Sequence, residues 1–306
     1  MSLEVFVLGT SGMQPLPNRF LTSAIVRRKG ELFLFDCGEG TQVSLKMLNL
    51  HWKRISRIFI SHMHADHVTG LPGLLMLSSQ VDRTKPLYIY GPEKLRDYID
   101  ANRRLLDMYI NYEIIFVPTQ PGIILDTEEF TVEALPLLHT KPCMGFILTE
   151  KDRAGEFSVE NANALGIPCG PLWGRLQKGE DVVLEDGRTI RPDQVLGAPR
   201  KGVRFSYVTD SVYLSHIAKH VAGSDLLLCE GMFERALESD ADEKKHMTST
   251  QAAIIARDAG VKKLGLIHYS PRYTDRELHT LKEEACEIFP NTVLCRDRCS
   301  FNLTNG

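Results

Sequence analysis

Arg57-Ile58-Phe59-Ile60-Ser61-His62-Met63-His64-Ala65-Asp66-His67 is an apolar run that breaks into three imidazoles and one carboxylate within six positions. Imidazole and carboxylate are the usual ligands of zinc and related divalent ions, and a catalytic site keeps one coordination position open for water. His62 and His64 alternate in an extended or turn-like stretch, whereas Asp66 and His67 are adjacent and do not easily share one direction. The spacing therefore predicts two neighbouring metal positions. The bland alternative is a polar turn rich in histidine. With ten histidines among 306 residues, chance does not readily put three within six positions.

The same pattern recurs along the chain. Glu129–Leu138 runs into His139, Val203–Val208 into Thr209-Asp210, Asp225–Cys229 into Glu230, and Lys263–Ile267 into His268. In layered α/β proteins, sites gather where strand ends open into loops. The economical arrangement puts His62, His64 and His139 around one ion and Asp66, His67 and His268 around another, with Asp210 bridging. Two ions about 3.5–4 Å apart can activate a water and stabilise both attacking and leaving oxygens. Taken alone, His139 and His268 would be ordinary core or surface histidines; their strand-end placement beside the cluster makes them ligands. Asp36, closing the run Glu31–Phe35, is either an outer partner of a metal-bound histidine or a turn-capping aspartate. His51, His216, His220 and His279 lack such context and read as solvated surface residues.

Composition bounds the rest. An apolar share of 43% with 25% charged residues is that of a globular chain. No run reaches the roughly 18–20 apolar residues of a membrane span. Met1-Ser2-Leu3-Glu4-Val5 carries no signal-peptide pattern, and seven scattered cysteines without a Cys-x-x-Cys pair predict reduced thiols in the cytoplasm. Net charge is 36 − 39 = −3, so any nucleic-acid binding has to come from local basic patches. Leu3–Leu8 reads as a strand, followed by Gly9-Thr10-Ser11-Gly12, a turn able to bring backbone close to a ligand or simply a tight turn. Residues 13–20 read as a loop, and 23–28 with 31–35 as a hairpin. Helices are expected from Thr41, over 74–79, 93–108, up to Ala259 and over 275–289, with strands at 86–92 and 112–117. Between 150 and 200 the periodicity is lost, apart from an Asp186-Gly187 turn joining two short β runs. Such an insertion reads as a functional arm or lid rather than a disordered linker.

These residues resemble the metallo-β-lactamase superfamily through 61–67, His139, Asp210 and His268. Nearly the whole chain is similar to one family within it, ribonuclease Z, the endonuclease of transfer-RNA 3′ ends. That narrower resemblance rests on Leu8-Gly9-Thr10, Phe35-Asp36-Cys37-Gly38-Glu39-Gly40-Thr41-Gln42, Gly70-Leu71-Pro72-Gly73-Leu74 and Ile89-Tyr90-Gly91-Pro92. It is made specific by Gly166-Ile167-Pro168-Cys169-Gly170-Pro171 and His268-Tyr269-Ser270-Pro271-Arg272-Tyr273. The resemblance implies an α/β fold, an αββα sandwich of the metallo-β-lactamase type spanning 1–306 with a protruding arm inserted at 151–200. It implies two Zn2+ per subunit, with Mn2+ as the alternative ion, a cytoplasmic homodimer, no membrane, and a precursor tRNA gripped at its elbow by the arm. The implied reaction removes the 3′ trailer, leaving a 3′-hydroxyl on the tRNA and a 5′-phosphate on the trailer. Asp66 would accept a proton while serving as ligand, and Glu230 with His246 would pass a proton to the leaving group. Gly170, Pro171, Arg175, Lys178, Ser270 and Arg272 would touch substrate.

The chain also departs from the family's pattern. Cys229-Glu230-Gly231-Met232 stands for the usual His-Glu-Ala-Thr, His246-Met247-Thr248 for His-Ser-Thr, and Thr209-Asp210 for Gly-Asp. Pro15-Leu16-Pro17-Asn18-Arg19-Phe20 lacks the lysine of the loop linked in the family to sensing CCA, so cleavage before or after CCA stays open. Candidate phosphate contacts are Arg27-Arg28-Lys29, Lys53-Arg54 with Arg57, and Lys244-Lys245, each equally a solvated face. Two rival readings are a hydrolase of small phosphodiesters or esters on the same scaffold and a non-catalytic nucleic-acid-binding descendant. The first would not need the Gly-Pro arm; the second would not need all seven ligands.

Overall fold

Strands covered on both faces read as near-continuous apolar runs, and β1 (Ser2–Gly9) is one. Leu3, Val5 and Val7 turn to one face and Phe6 and Leu8 to the other, all buried. The computed structural model describes residues 2–81 and 83–304; Met1, Asp82 and residues 305–306, which include the ends of the expected 1–306 domain, lie outside the described residues. β2 (Ser23–Arg28) and β3 (Glu31–Phe35) form the expected hairpin, and β4 (Ile55–Phe59), β5 (Leu87–Gly91) and β6 (Ile114–Pro118) add in parallel. The second sheet starts with β7 (Gly122–Asp126), β8 (Phe130–Leu138) and β9 (Pro142–Glu150). After the short pair β10 (Val182–Val183) and β11 (Thr189–Ile190) come β12 (Arg204–Val208), β13 (Leu226–Glu230), β14 (Leu264–Ile267), β15 (Thr292–Leu294) and β16 (Ser300–Thr304). One seven-stranded sheet runs β16-β1-β2-β3-β4-β5-β6 and the other β15-β14-β13-β12-β9-β8-β7.

The two sheets face each other across a shared core of Leu3, Val5, Phe33, Phe35, Phe59, Phe146, Phe205 and Leu228. Phe35 meets Phe205 edge-on at 5.4 Å between ring centroids, and Phe33 meets Phe130 at 5.3 Å. Helices cover each outer face. α1 (Thr41–Met47), α2 (Ala65–Val68), α3 (Leu71–Ser79) and α4 (Lys94–Leu105) contribute Leu45, Val68, Leu74 and Leu95 to a core against Leu8, Ile25, Leu34 and Ile89. Past α5 (Val159–Ala164) and α6 (Pro171–Gln177), the remaining helices are α7 (Ile217–His220), α8 (Glu238–Lys244), α9 (Ser249–Asp258) and α10 (Leu278–Ile288). Of these, α7, α9 and α10 bury Ile217, Ala252, Ala256 and Leu281 against Ile147, Leu227 and Leu266. This is the expected αββα sandwich.

Several elements differ from the sequence reading. β9 was not expected: Gly145 interrupts its apolar run, because a Cβ there would sit 3.0 Å from the Tyr207 carbonyl oxygen of the neighbouring strand. β7, β15 and the closing strand β16 were also unanticipated, as was α8. β16 alternates exposed and buried residues, but it joins the first sheet only by pairing with β1 from the other end of the chain.

Residues 150–202 form a compact unit of their own, distinct from 2–149 with 203–304. It is structured where no periodicity was legible: α5 and α6 close over the β10–β11 pair, and Ala162, Ile167, Leu176, Val182, Ile190 and Val195 make a small core. Ser158 caps α5 by accepting from the Asn161 amide. Among the described residues no helix is long and apolar enough to cross a membrane.

Candidate metal centre

β4, β8, β12 and β14 deliver His62, His139, Asp210 and His268 just past their last residues, while α2 carries Asp66 and His67. His64 Nδ1 lies 3.0 Å from both His62 Nε2 and His139 Nε2. Asp210 Oδ2 is 3.7 Å from His62 Nε2 and 3.6 Å from His139 Nε2. The other oxygen of the same carboxylate, Oδ1, is 3.3 Å from both His67 Nε2 and His268 Nε2. Asp66 Oδ2 completes this second set at 3.4 Å from His268 Nε2 and 3.7 Å from His67 Nε2. The seven residues singled out in the sequence therefore converge as two groups that share Asp210.

The donor set fits divalent ions. Ligand atoms about 2.0–2.1 Å from a tetrahedral ion are about 3.3 Å apart, close to the spacings within both groups. The buried Nε2 atoms of His67 and His268 have no hydrogen-bond partner, as expected of nitrogens whose lone pairs belong to a metal. Hydrogen bonds on the far side of the rings set their tautomers. His67 Nδ1 donates to Asp36 Oδ2 at 2.7 Å and His139 Nδ1 to the Lys245 carbonyl at 2.8 Å, leaving Nε2 of each facing inward.

Asp36 is thus an outer partner rather than a cap. Fully buried, it also accepts from the Ser61 amide (2.7 Å), the Ser61 hydroxyl (2.8 Å) and the Tyr207 hydroxyl (2.9 Å). Its φ of 54° and that of His268, 58°, place two non-glycine residues in the left-handed region at the site, where such strain commonly collects.

The pocket's charges are strongly coupled. Burial alone would raise the Asp210 carboxyl, but His268, His67 and His62 hold it well below the usual range. Burial likewise opposes ionisation of Asp66, and the neighbouring His268 and His67 rings overcome it and lower its pKa. Burial and neighbouring His67 push His62 down, whereas His67, also buried, is lifted by Asp210 and Asp36.

Beside the ligands stands a second pair. Glu230 is completely buried at the end of β13; its Oε1 accepts from the Ser211 amide at 2.6 Å and its Oε2 faces His246 Nδ1 at 2.9 Å. Burial disfavours charging of His246, but Glu230 outweighs it and raises its pKa to about 9. His246 is held between two helix ends. Lys245, at φ 61°, closes α8, and Thr248 opens α9 with a capping box in which the Gln251 amide donates to Thr248 Oγ1 and Gln251 Oε1 accepts from the Thr248 amide.

The mouth is a cavity of about 360 Å³ whose lining includes Met13, Thr140, Met232, Lys244 and His246 together with the ligands. Met13 was not singled out in the sequence. Its amide donates to Asp66 Oδ2 at 2.7 Å, and its side chain is 67% exposed. The signal was the Gly9–Gly12 turn: a Cβ on Gly12 would lie 2.7 Å from the His268 ring, so backbone does approach the site there. Tyr207 was also missed, because a core tyrosine carries no spacing signature, whereas Lys244, one of the candidate phosphate contacts, does line the mouth.

Of the expected substrate contacts, Ser270 is buried just past His268, and the exposed Arg272 lies over the Phe233 ring at 5.0 Å, with Lys244 over the same ring at 5.5 Å. Gly170, Pro171, Arg175 and Lys178 lie in the 150–202 unit, at or within α6, where Arg175 pairs with Glu180 at 3.0 Å. His51, His216 and His279 are exposed as expected. His220 is not simply solvated; its Nδ1 lies 2.8 Å from Glu133.

Comparison with known proteins gives a consistent result. The family profile described as Anti-Pycsar protein Apyc1 matches residues 3–152. Ribonuclease Z of Treponema denticola is 62% identical over 304 residues, covering 99% of each chain. That of Treponema pallidum is 58% identical over 299 residues, covering 97% of this chain and 96% of the relative. The crystal structure of human tRNase Z, short form, superposes with a TM-score of 0.71 at 26% identity, covering 98% of this chain and 99% of that one.

Proposed function

The chain belongs to the ribonuclease Z family, and on that premise we propose how its two ligand groups and the Glu230–His246 pair carry out the family's reaction. The protein is a hydrolytic endoribonuclease that processes tRNA 3′ ends. The observation that carries the mechanistic reading is the single carboxylate of Asp210, which presents one oxygen to each ligand group.

His62, His64, His139 and Asp210 would hold one zinc ion, and Asp66, His67, His268 and Asp210 a second, with manganese as the alternative. Zinc held there would lower the pKa of a water and offset charge on the scissile phosphate. The chain's own groups supply the rest. Asp66, oriented by the Met13 amide, accepts the proton of the attacking water. The water oxygen bonds to phosphorus as the bond to the tRNA 3′-oxygen breaks. Because His246 gives Nδ1–H to Glu230, its Nε2–H is the proton left to donate, and it goes to the departing 3′-oxygen. The products are a tRNA 3′-hydroxyl and a trailer 5′-phosphate. Retention of this Glu–His contact supports a working relay despite the altered residues around both.

Beyond the site, we assign residues 151–200 as an arm inserted in a 1–306 domain, binding tRNA through Gly170, Pro171, Arg175 and Lys178. Ser270 and Arg272 contact the RNA beside the metals. The protein acts as a homodimer in the cytoplasm. The test is incubation of the purified zinc-loaded protein with a tRNA precursor bearing a 3′ trailer, with both new ends mapped. A 3′-hydroxyl on the tRNA is expected and its position settles the relation to CCA. No cleavage, alongside rapid turnover of a small phosphodiester, would overturn the reading.

A further inference from the structure

Two adjoining cavities open at the amino-terminal ends of β3 and β4, away from the ligands. The larger, about 680 Å³, is lined by Lys29, Glu31, Lys53, Arg54, Arg83 and Lys85 among others. The smaller, about 230 Å³, shares Lys53 and Arg54 and adds His51, Trp52 and Val81. Their rim at Ile55 precedes His62 by seven residues of mostly extended chain, roughly 23 Å at about 3.3 Å per residue. This is not the cleavage site.

The larger cavity has five cations and one carboxylate among its described lining residues. Glu31 is already engaged, 3.2 Å from Arg57 and 3.1 Å from Ser56 Oγ, and Lys29 is paired with Glu129. Lys53, Arg54 and Lys85 are exposed and have no ion-pair partner among the described residues. Arg83 is the telling group. It is only 4% exposed, and its guanidinium donates to the carbonyls of Ile55 (2.7 Å), Pro86 (2.9 Å) and Lys53 (3.3 Å). Its buried Nε has no partner, and its only charged neighbours in the cavity lining are those lysines, Arg54 and Glu31. A buried charge is normally paired. Three carbonyls and the Tyr112 ring, 5.2 Å from the Arg83 guanidinium, offset part of this charge. With five cations to one carboxylate among the described lining residues, the cavity stays net positive and favours an anion. Next door, half-buried Trp52 packs against the core on one side and lines an apolar cavity of base-like size, with its Nε1 also unpartnered. Cations interleaved with an aromatic platform are how single-stranded nucleic acid is held.

We propose that this groove binds single-stranded RNA, stacking a base on Trp52 and holding flanking phosphates with Lys53, Arg54 and Lys85. The assignment of RNA rests on the family reading, since a substrate RNA extends beyond the scissile bond. It gives the enzyme a second RNA contact, remote from the metals.

The probe is octauridylate, with uridine diphosphate in parallel. In Trp173→Phe protein, Trp52 is the one remaining tryptophan of two, and octauridylate should quench its fluorescence. In the Lys53→Glu/Lys85→Glu protein, affinity for octauridylate at low salt should fall at least tenfold. The slope of log affinity against log salt should drop by about 1.4, two phosphate contacts at about 0.7 each. Turnover of a short-trailer precursor at saturation should stay at the wild-type value. Unchanged affinity and slope in the double variant would overturn the proposal, as would uridine diphosphate binding as tightly as octauridylate, which would mark a small-ligand pocket. Wild-type protein that fails to cut the precursor would sink the family reading instead.

Discussion

At the residue scale the centre depends on which atom of each side chain is already spoken for. Asp36, Lys245 and Glu230 each take the Nδ1 proton of a histidine, and so decide which nitrogen faces the pocket. Asp66→Asn keeps the size of the side chain but removes its basicity. Cleavage is expected to slow by about 10²–10⁴-fold, with tRNA affinity in a filter-binding assay little changed; near-normal turnover would refute the assigned role. Tyr207 is a core tyrosine whose hydroxyl braces Asp36 at 2.9 Å. Losing such an outer hydrogen bond typically costs about 10–100-fold in metal affinity. Tyr207→Phe should therefore release zinc to a competing chelator that leaves the wild type loaded, and equal retention would show that Asp36 needs no brace.

At the element scale, function concentrates at strand ends and helix junctions. The strands ending at His62, His139, Asp210, Glu230 and His268 were legible because each is an apolar run stopping at a chemical group. α9 was legible too, from Thr248 and the terminating Gly260. β9 was not, since Gly145 breaks the pattern for a packing reason that lies on another strand. The 150–202 unit was read as lacking periodicity because its helices are six and seven residues long and its strands two each. Amphipathic periodicity needs longer windows. Deleting residues 166–178 removes all of α6 and the Gly-Pro turn. It should raise KM for a tRNA precursor at least tenfold while sparing hydrolysis of bis(p-nitrophenyl) phosphate. A parallel loss of both activities would make this segment structural.

At the scale of the whole molecule, the sandwich core holds the two ligand groups at one end of facing sheets. Ligand sets gathered from residues 62 to 268 are assembled only in the folded chain, so metal binding is linked to stability. Stripping the protein with a chelator should lower its melting temperature by several degrees, since binding at 1,000 times Kd is worth about 4 kcal/mol. Adding back zinc should restore it in differential scanning fluorimetry. A melting curve indifferent to both would mean that the site holds no ion.

By itself, the sequence determined which seven histidines and aspartates converge and how they divide into two groups, while the sandwich that carries them was implied by the family resemblance. Ligand chemistry is a property of side-chain type, and strand ends are a property of local apolar patterning. Only the tertiary structure decided which oxygen of Asp210 serves which set, that Asp36 answers to His67 and Tyr207, and that the Met13 amide reaches Asp66. It also brought Arg83, Lys53 and Trp52 to one groove. Tyr207 and Asp36 are 171 residues apart and Met13 and Asp66 53. Contacts over such separations are set by how the sheets and loops pack, a long-range outcome that no local spacing records.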